Sequence, residues 1–330
     1  MIDYAAVRDG GAGLIDLSSR GRLRVSGSEA AMFLNGLITN DIKTLGENRW
    51  MPAAFPTVQG RLIGAVRVVR EKNAFLIDTD AESHEAVLKT VSRFTLAGDF
   101  HVKDLTAETA LLSVQGKRAG EIFEKVFETG VSDLPRDGAL ETNWQNTPVT
   151  VIRATHTAED GFDVVIDSAH GAQLRQALIA ADAQSVSPDV FEILRIEAGI
   201  ARFGRDMDET NVVTETNLDD AVSYTKGCYV GQEIIVRIKH RGHVAKKLTG
   251  LRFQTDGRVE PGTVIKSGDG KEIGKVTSTA FSPKLETTIA LGYVRYEYLT
   301  PGTSVVIDPE IEATIVELPF IRGSWYQDNG

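Results

Sequence analysis

The sequence contains a single cysteine, Cys228, among its 330 residues. One cysteine excludes an intramolecular disulfide, and it is too few to hold an iron-sulfur cluster within one chain, which usually takes about four sulfur ligands. The histidines do not compensate, because His240 and His243 have neither a partner pair nor the helical spacing that a zinc site requires. We therefore expect no resident metal. Cys228 is either an inert apolar filler or a chemically active group.

Long apolar runs are also missing, since no stretch approaches the ~20 residues of a membrane span. The first residues carry no basic segment ahead of an apolar one, so they do not indicate a secretory signal. The chain is acidic, with a formal net charge of -10 and a pI near 5.2, and its surface repels nucleic acid and anionic lipid on average. The sequence predicts a cytoplasmic protein without a membrane partner.

Several catalytic motifs are absent. The sequence has no Gly-x-Ser-x-Gly elbow, no phosphate-binding loop ending in Gly-Lys-Ser/Thr and no His-Glu-x-x-His. The glycines at 268–274 are spaced one residue too widely for a dinucleotide fingerprint, and they lie among short β-type segments. They therefore predict a β-turn rather than a nucleotide site.

The composition is that of a globular protein, with 42% hydrophobic and 25% charged residues over a length that suits two or three domains. Short β-branched segments alternate irregularly with amphipathic helical ones as far as residue 241, which predicts a mixed α+β fold. After Gly242, short strands separated by Gly, Pro and Asp turns predict a small all-β barrel or sandwich. A domain boundary is expected near residue 242.

The most informative segment is residues 226–233, Lys-Gly-Cys-Tyr-Val-Gly-Gln-Glu. Apolar residues recur every four positions from Val230 onwards, which favours a helix that ends before Gly242. The run at 234–238 is β-branched and nearly continuous, so a strand is the alternative.

The position of Cys228 suggests a reactive thiol. A helix beginning just after it would bring the thiol near the N-terminal amides and near Lys226, and both favour the thiolate. The alternative is a small buried apolar residue, which is what a lone cysteine usually is.

Residues 226–233 match a Lys-Gly-Cys-aromatic-x-Gly-Gln-Glu signature. On this segment the chain resembles the YgfZ-type folate-binding proteins, which are relatives of the glycine cleavage T protein and of a mitochondrial iron-sulfur assembly factor. The resemblance covers almost the whole chain. Its other landmarks are Thr-Asn-Asp at 39–41, Gln-Gly-Arg at 59–61, Arg-Ile-Glu-Ala-Gly-Ile at 195–200, Phe-Gly-x-Asp at 203–206, Gly-Lys-Val-Thr-Ser at 274–278 and Ser-Pro at 282–283.

The resemblance implies the three-lobed T-protein fold, in which two mixed α+β, ferredoxin-like lobes and a C-terminal β-barrel surround a central folate-sized cavity. On this basis the first lobe comprises residues 1–48 and 105–241. The second lobe is 49–104, and the barrel is 242–330.

Tetrahydrofolate or a one-carbon derivative is the implied cofactor. Its pterin ring presents N–H donors that a carboxylate accepts in pairs. Glu197 matches the family's pterin-side glutamate; the alternatives are a solvated helix charge or an ion pair with Arg195 or Arg202. The residues assigned to the folate are Glu197, Asp41, Asp78 and Tyr229. Beside Cys228 and Lys226, the motif positions are Gly227, Gly231, Gln232 and Glu233.

The resemblance fails at the catalytic carboxylates. T proteins carry a paired aspartate whose second member is catalytic, and the matching positions here are Gly64 and Ala65. The position of Cys228 is usually an aspartate in T proteins. The resulting hypothesis is a tetrahydrofolate-binding protein that supports iron-sulfur cluster assembly or repair in client enzymes, including those that modify tRNA, with Cys228 as the key thiol. The thiol could ligate a cluster transiently, attack a persulfide or be protected by a one-carbon unit.

Two alternatives stay open. One is a folate-dependent aminomethyl- or methyltransferase that uses Asp41 or Asp78 as its acid or base. The other is an RNA-binding accessory protein, for which a basic stretch would grip the phosphate backbone or, equally, a polyglutamyl folate tail. The same charges could simply complement a helix C-terminus beside a solvated loop. The stretch consists of Arg237, Lys239, Arg241, Lys246 and Lys247, with His240 and His243.

Overall fold

The computed structural model describes residues 1–96, 98–127, 130–254, 259–307 and 311–327. In that part of the chain the α-helices are α1 (Ile2–Arg8), α2 (Ala30–Leu37), α3 (Ala81–Ser92), α4 (Ala119–Phe127), α5 (Ser168–Ala180), α6 (Pro188–Glu197) and α7 (Gln232–Arg241). The strands before α6 are β1 (Gly13–Asp16), β2 (Gly21–Ser26), β3 (Arg49–Pro56), β4 (Leu62–Arg70), β5 (Ala74–Thr79), β6 (His101–Asp104), β7 (Thr109–Gln115), β8 (Ala139–Trp144), β9 (Thr147–Arg153), β10 (Gly161–Asp167) and β11 (Gln184–Ser185). The strands after α7 are β12 (Lys246–Phe253), β13 (Val264–Lys266), β14 (Glu272–Ser282), β15 (Thr287–Arg295), β16 (Ser304–Ile307) and β17 (Ile311–Val316).

The first lobe is built on a six-stranded sheet with the order β11-β1-β7-β10-β9-β8. Its pairings are antiparallel except for that of β1 with β11. Helices α4 and α5 cover one face, where Phe123 and Leu174 pack on Val114 and Phe162 of the central strands. The central strand β10 is buried over six successive residues, as expected for a strand covered on both faces.

The second lobe is built on a five-stranded sheet with the order β3-β4-β5-β2-β6, and α2 and α3 pack on it. Strand β2 belongs to this sheet, where it pairs with β5 and β6. The sequence-based division placed residues 1–48 in the first lobe, so the position of β2 differs from it. The reason is that the partner of a strand is fixed by tertiary pairing, which sequence order does not reveal. The lobe boundaries themselves stay predictions.

The C-terminal lobe is a closed barrel with the order β12-β15-β14-β13-β16-β17. Pairing of β17 with β12 completes the closure, and alternate side chains such as Leu251, Ile265 and Ile315 fill the interior. The predicted mixed α+β fold with a C-terminal β-barrel is thus confirmed. Among the described residues, no helix is both long enough and apolar enough to cross a membrane.

The two sheets pack against each other through a shared apolar layer that includes Leu17, Val69, Leu76 and Ile152. Helix α6 joins this pair of sheets to the barrel, since Ile196 packs on Leu291 and neighbouring barrel side chains. The lobes therefore form one contiguous body, and the space between them is where a ligand site can lie.

Candidate functional site

A cavity of about 1190 Å³ opens between the three lobes. Its wall takes Leu17 from beside the first sheet, Ala65 and Arg67 from β4, Leu248 from β12 and Trp325 from the segment after the barrel. The volume slightly exceeds the range of about 300–1,000 Å³ that is usual for small-ligand pockets. An elongated ligand with a ring system and a tail fits such a space.

Charged side chains form a continuous ladder that includes residues of the cavity wall and the buried Asp163 behind them. Arg20 Nε lies 2.7 Å from Asp78 Oδ1, and Arg67 Nη2 lies 2.8 Å from Asp78 Oδ2. The Nη1 atom of Arg67 lies 2.7 Å from Asp163 Oδ2, and Nε2 of His156 lies 2.9 Å from the same oxygen. The ladder joins β4 and β5 of the second lobe to β10 of the first, so it fixes the two sheets relative to each other across the cavity.

The electrostatics of the ladder keep its carboxylates ionised. Burial alone would raise the pKa of Asp78, but Arg20 and Arg67 outweigh it and hold that pKa below its ordinary value. Burial opposes ionisation of Asp163 in the same way, and His156 and Arg67 hold its pKa well below the usual range. Asp78 is thus confined between two arginines, rather than placed as a free acid or base.

The rest of the wall combines aromatic faces with charges. The aromatic side chains are Trp50, Phe191, Trp325 and Tyr326, and the outer charges include Arg175, Arg202, Asp219 and Asp220. Partial desolvation and the neighbouring charge of Asp219 raise the pKa of Asp220. A flat ring, N–H donors and an anionic tail would each find a matching group here.

The adjacent residues Gly64 and Ala65 face opposite ways, because successive side chains of a strand alternate. Ala65 lines the cavity, whereas a Cβ on Gly64 would lie 2.7 Å from Val87 Cγ2 of α3. The cavity wall therefore has a methyl group at the position where the resemblance places the catalytic aspartate.

Cys228 is exposed and does not belong to the described part of the cavity wall. The structure therefore contradicts the alternative of a buried apolar filler. Helix α7 begins at Gln232, four residues later, so the helix that the sequence favoured over a strand is confirmed. The thiol is therefore accessible from the surface rather than from the interior of the cavity.

Lys226 does not face the thiol. Its ammonium is buried and donates to three main-chain carbonyl oxygens, those of Asn35 at 2.7 Å, Ile38 at 2.9 Å and Asn40 at 2.6 Å. Burial lowers the pKa of Lys226 to about 8. Lys226 was expected to lie near the Cys228 thiol. Instead, its hydrogen bonds attach the segment at 226–231, called the thiol loop below, to the C-terminal end of α2.

The motif glycines have different roles. Gly231 caps α7 with a φ of 77°, and a Cβ there would lie 2.4 Å from the carbonyl oxygen of Thr57, so the turn requires glycine. Gly227 is exposed, and the space that a Cβ would occupy there is open. Gln232 is half-buried and Glu233 is exposed at the start of α7, where its charge suits the helix N-terminus.

Tyr229 and Asp41 lie away from the described cavity wall. Tyr229 is buried under the ammonium of Lys226, which lies 4.9 Å from its ring centroid, and burial raises the pKa of Tyr229 to about 12. The Asp41 carboxylate accepts from the main-chain N–H of Lys43 and caps a short turn. Both residues support the thiol loop and the segment beneath it.

Glu197 lies in a buried polar cluster, outside the described cavity wall. Tyr4 Oη donates to Oε1 at 2.7 Å, and Arg8 Nε donates to Oε2 at 2.9 Å, while the hydroxyl of Ser282 also donates to Oε1. The carboxylate is fully used in joining α1, α6 and the barrel. A pterin contact by Glu197 does not fit this arrangement. The sequence-based alternatives also missed its partner, which is Arg8.

The side chains of the basic stretch, which runs from the second half of α7 into β12, are dispersed. Lys247 pairs with Asp219 at 2.8 Å, and the ammonium groups of Lys239 and Lys246 lie 5.1 and 4.9 Å from tyrosine ring centroids. Arg237 and His240 are exposed, and His243 stacks on Tyr296. The side chain of Arg241 lies outside the described residues. No group of three or more potential metal ligands occurs in the described chain.

Sequence reasoning missed the ladder, in which Arg67, His156 and Asp163 lie on elements far apart in the chain. The alternation of β4 could have placed Arg67 on the same face as Ala65. No local pattern marks His156, which lies in the loop before β10 and meets Asp163 only after the sheet has formed.

Comparison with known proteins assigns this architecture. Residues 2–226 match the GCVT N-terminal domain, and residues 246–321 match the glycine cleavage T-protein C-terminal barrel domain. The chain belongs to the glycine cleavage T-protein family. It is 32% identical over 321 residues to an aminomethyltransferase of Rubrobacter xylanophilus, covering 97% of this chain and 86% of the relative.

Two further comparisons cover nearly the whole chain. A putative chloroplastic transferase of Arabidopsis thaliana is 27% identical, with 95% of this chain and 72% of the relative covered. The crystal structure of the glycine cleavage system aminomethyltransferase T from Bartonella henselae superposes with a TM-score of 0.90 at 22% identity. That comparison covers 97% of this chain and 89% of the other, and it shows that the two chains share one fold.

Proposed function

We propose that this chain binds tetrahydrofolate or a one-carbon derivative in the central cavity and supports iron-sulfur cluster assembly or repair in client enzymes, including those that modify tRNA. One observation carries the proposal: the cavity keeps a charged, aromatic wall but has Ala65 at its expected catalytic position, while Cys228 is exposed on the surface. A T-protein scaffold that presents an accessible thiol and no carboxylate at Ala65 suits a thiol-dependent task in the cytoplasm.

The wall residues support a folate ligand by their chemistry. Asp220 is a carboxylate for ring N–H donors, Trp50 and Trp325 are faces for stacking, and Arg175 and Arg202 are cations for the glutamate tail. The folate would supply a one-carbon carrier when bound. The chain's own residues hold it and exclude water.

The experiment separates the two halves of the proposal. In cells lacking the gene, wild-type protein should restore the activity of iron-sulfur enzymes, Cys228→Ala should not, and Thr225→Ala, an exposed neighbour, should behave as wild type. Calorimetric titration with tetrahydrofolate should give the same affinity for all three proteins. Full activity of Cys228→Ala would refute the role of the thiol, and absence of folate binding by wild type would refute the ligand.

A folate-dependent aminomethyltransferase is the second candidate, and the names of the Rubrobacter and Bartonella relatives favour it. Asp41 cannot supply its acid or base from outside the cavity, and both oxygens of Asp78 are held by arginines. Asp220 is the carboxylate of the wall best suited to replace them. Formation of methylenetetrahydrofolate from an aminomethylated carrier, lost in Asp220→Asn, would establish this activity in place of the first proposal.

A further inference from the structure

The polar ladder of the cavity contains one group whose proton-accepting atom is not already used. Both oxygens of Asp78 face arginines, and Asp163 accepts from Arg67 and lies against His156. His156 uses Nε2 toward Asp163, with distances of 3.1 and 2.9 Å to the two oxygens. Its Nδ1 has no hydrogen-bond partner among the described residues, and the side chain lines the cavity.

The position of His156 is fixed from two sides. Its main-chain N–H donates to Oε1 of Gln115 at 2.8 Å, and the amide of Gln115 donates in turn to Ser113 and to the carbonyl of Ala154. Its ring is fixed by Asp163, whose side chain is completely buried and is itself held by Arg67. A histidine oriented by a buried carboxylate keeps one tautomer, with the proton on the nitrogen that faces the carboxylate.

We propose that His156, oriented by Asp163, is the proton acceptor of this cavity and acts on a nitrogen-bound hydrogen of the ligand. Resting on the folate binding proposed above, the ligand class is a reduced pterin or its secondary amine. The proton comes from the secondary amine in its protonated, ammonium form: one N–H bond of the ammonium breaks, its electron pair stays on the nitrogen, which becomes the neutral amine, and the proton moves to Nδ1. The positive charge that forms on the ring is balanced by the Asp163 carboxylate, and the reverse transfer returns the proton without any other reactant.

The proposal predicts how ligand affinity depends on pH. A histidine ring protonated on both nitrogens no longer accepts a hydrogen bond. The charged groups next to the ring are Asp163 and, behind it, Arg67, whereas Gln115 contacts His156 only through its main-chain N–H. Tetrahydrofolate should therefore bind more weakly at pH 5.5 than at pH 7.5.

The matched variants identify the titrating group. His156→Gln keeps an acceptor but cannot titrate, so its affinity for tetrahydrofolate should be the same at both pH values. His101→Gln is the control, because His101 also pairs with a carboxylate, that of Asp99 at 2.9 Å, but on the surface. It should reproduce the wild-type pH profile. A profile that survives in His156→Gln, or that disappears in Asp220→Asn instead, overturns the proposal.

A measurement without ligand keeps this inference separable from folate binding. In ¹⁵N-histidine-labelled protein at pH 8, the signals lost in His156→Gln should show a proton on Nε2 and a bare Nδ1. A proton on Nδ1 refutes His156 as acceptor, whatever binds in the cavity. Failure of wild type to bind tetrahydrofolate would refute the folate ligand of the proposed function, while the tautomer would still decide the chemistry of His156.

Discussion

Gly64 and Ala65 are neighbours on β4, yet one faces helix α3 and the other faces the cavity. A pair of carboxylates at these positions could never act together in the cavity, because only the second side chain reaches it. The absence of a carboxylate at Ala65 therefore changes the chemistry of the cavity wall, whereas its absence at Gly64 allows α3 to pack closely on β4.

Restoring the two carboxylates should thus have unequal effects. We expect Ala65→Asp to stay folded, within about 1 kcal/mol of wild type, because its half-buried side chain lies at the cavity wall. Gly64→Asp should lose more than about 3 kcal/mol of unfolding free energy, since it meets Val87 and buries a charge. Urea unfolding of both variants checks this expectation. Equal stabilities would contradict the opposite facing of the two residues.

The thiol of Cys228 should react in the folded protein, because the residue is exposed. A chromogenic disulfide reagent should titrate one thiol per chain without denaturant, at a rate that changes little on unfolding. Cys228→Ser provides the blank. A thiol that becomes reactive only after unfolding would show that the loop covers it.

Removing the ammonium of Lys226 should destabilise the protein by about 2–4 kcal/mol, since Lys226→Met leaves buried carbonyl oxygens without their donor. Hydrogen exchange should rise in residues 35–40 and 226–231 together. Lys239→Met is the matched control, because this ammonium is exposed on α7, and it should stay near wild type. Unchanged exchange in the Lys226 variant would show that the loop has another support.

Glu197→Gln should weaken folding and leave the cavity unaffected. The variant removes the charge that Arg8 faces in the interior, which costs about 3 kcal/mol. Glu233→Gln, at an exposed site, should be neutral. Ligand affinity measured by calorimetry should be equal in both variants. A selective loss of affinity in Glu197→Gln would restore that residue to the ligand site.

The stability of the ladder should depend on pH at the acidic end. The folded-state pKa of Asp163 is depressed, so the unfolded chain binds the proton more tightly and the contribution is complete above about pH 5. It should be lost as the pH falls further. At pH 7, Asp163→Asn should cost about 3–5 kcal/mol, and its acid limb should be flatter than that of wild type. Asp9→Asn, an exposed change, should keep the wild-type acid limb when unfolding is followed from pH 7 to pH 2.

Much of the fold could be predicted from the sequence because it depends on local signals. The turn residues that separate strands β12 to β16 predict a barrel, and the four-residue spacing of apolar side chains from Val230 onwards predicts α7. The sheet membership of β2 could not be predicted in this way, since its partners β5 and β6 lie far along the chain.

The candidate site was less predictable, for a physical reason. A motif identifies which carboxylates and amines are present but not what they face. Glu197 and Lys226 stand in distinctive motifs, and both prove to be buried and saturated with partners. Asp163 and His156 stand in none, and tertiary packing alone brings them to the cavity.

The fastening of the thiol loop has a mechanical consequence. The main-chain carbonyl oxygen of Asn40 accepts a hydrogen bond from the ammonium of Lys226. The side-chain amide of Asn40 donates a hydrogen bond to the carbonyl oxygen of Asp220, at 3.1 Å. The loop that carries Cys228 and the cavity wall at Asp220 are thus both hydrogen-bonded to the same residue, Asn40. We therefore expect a displacement of Asn40 to move the Cys228 loop and the cavity wall at Asp220 together.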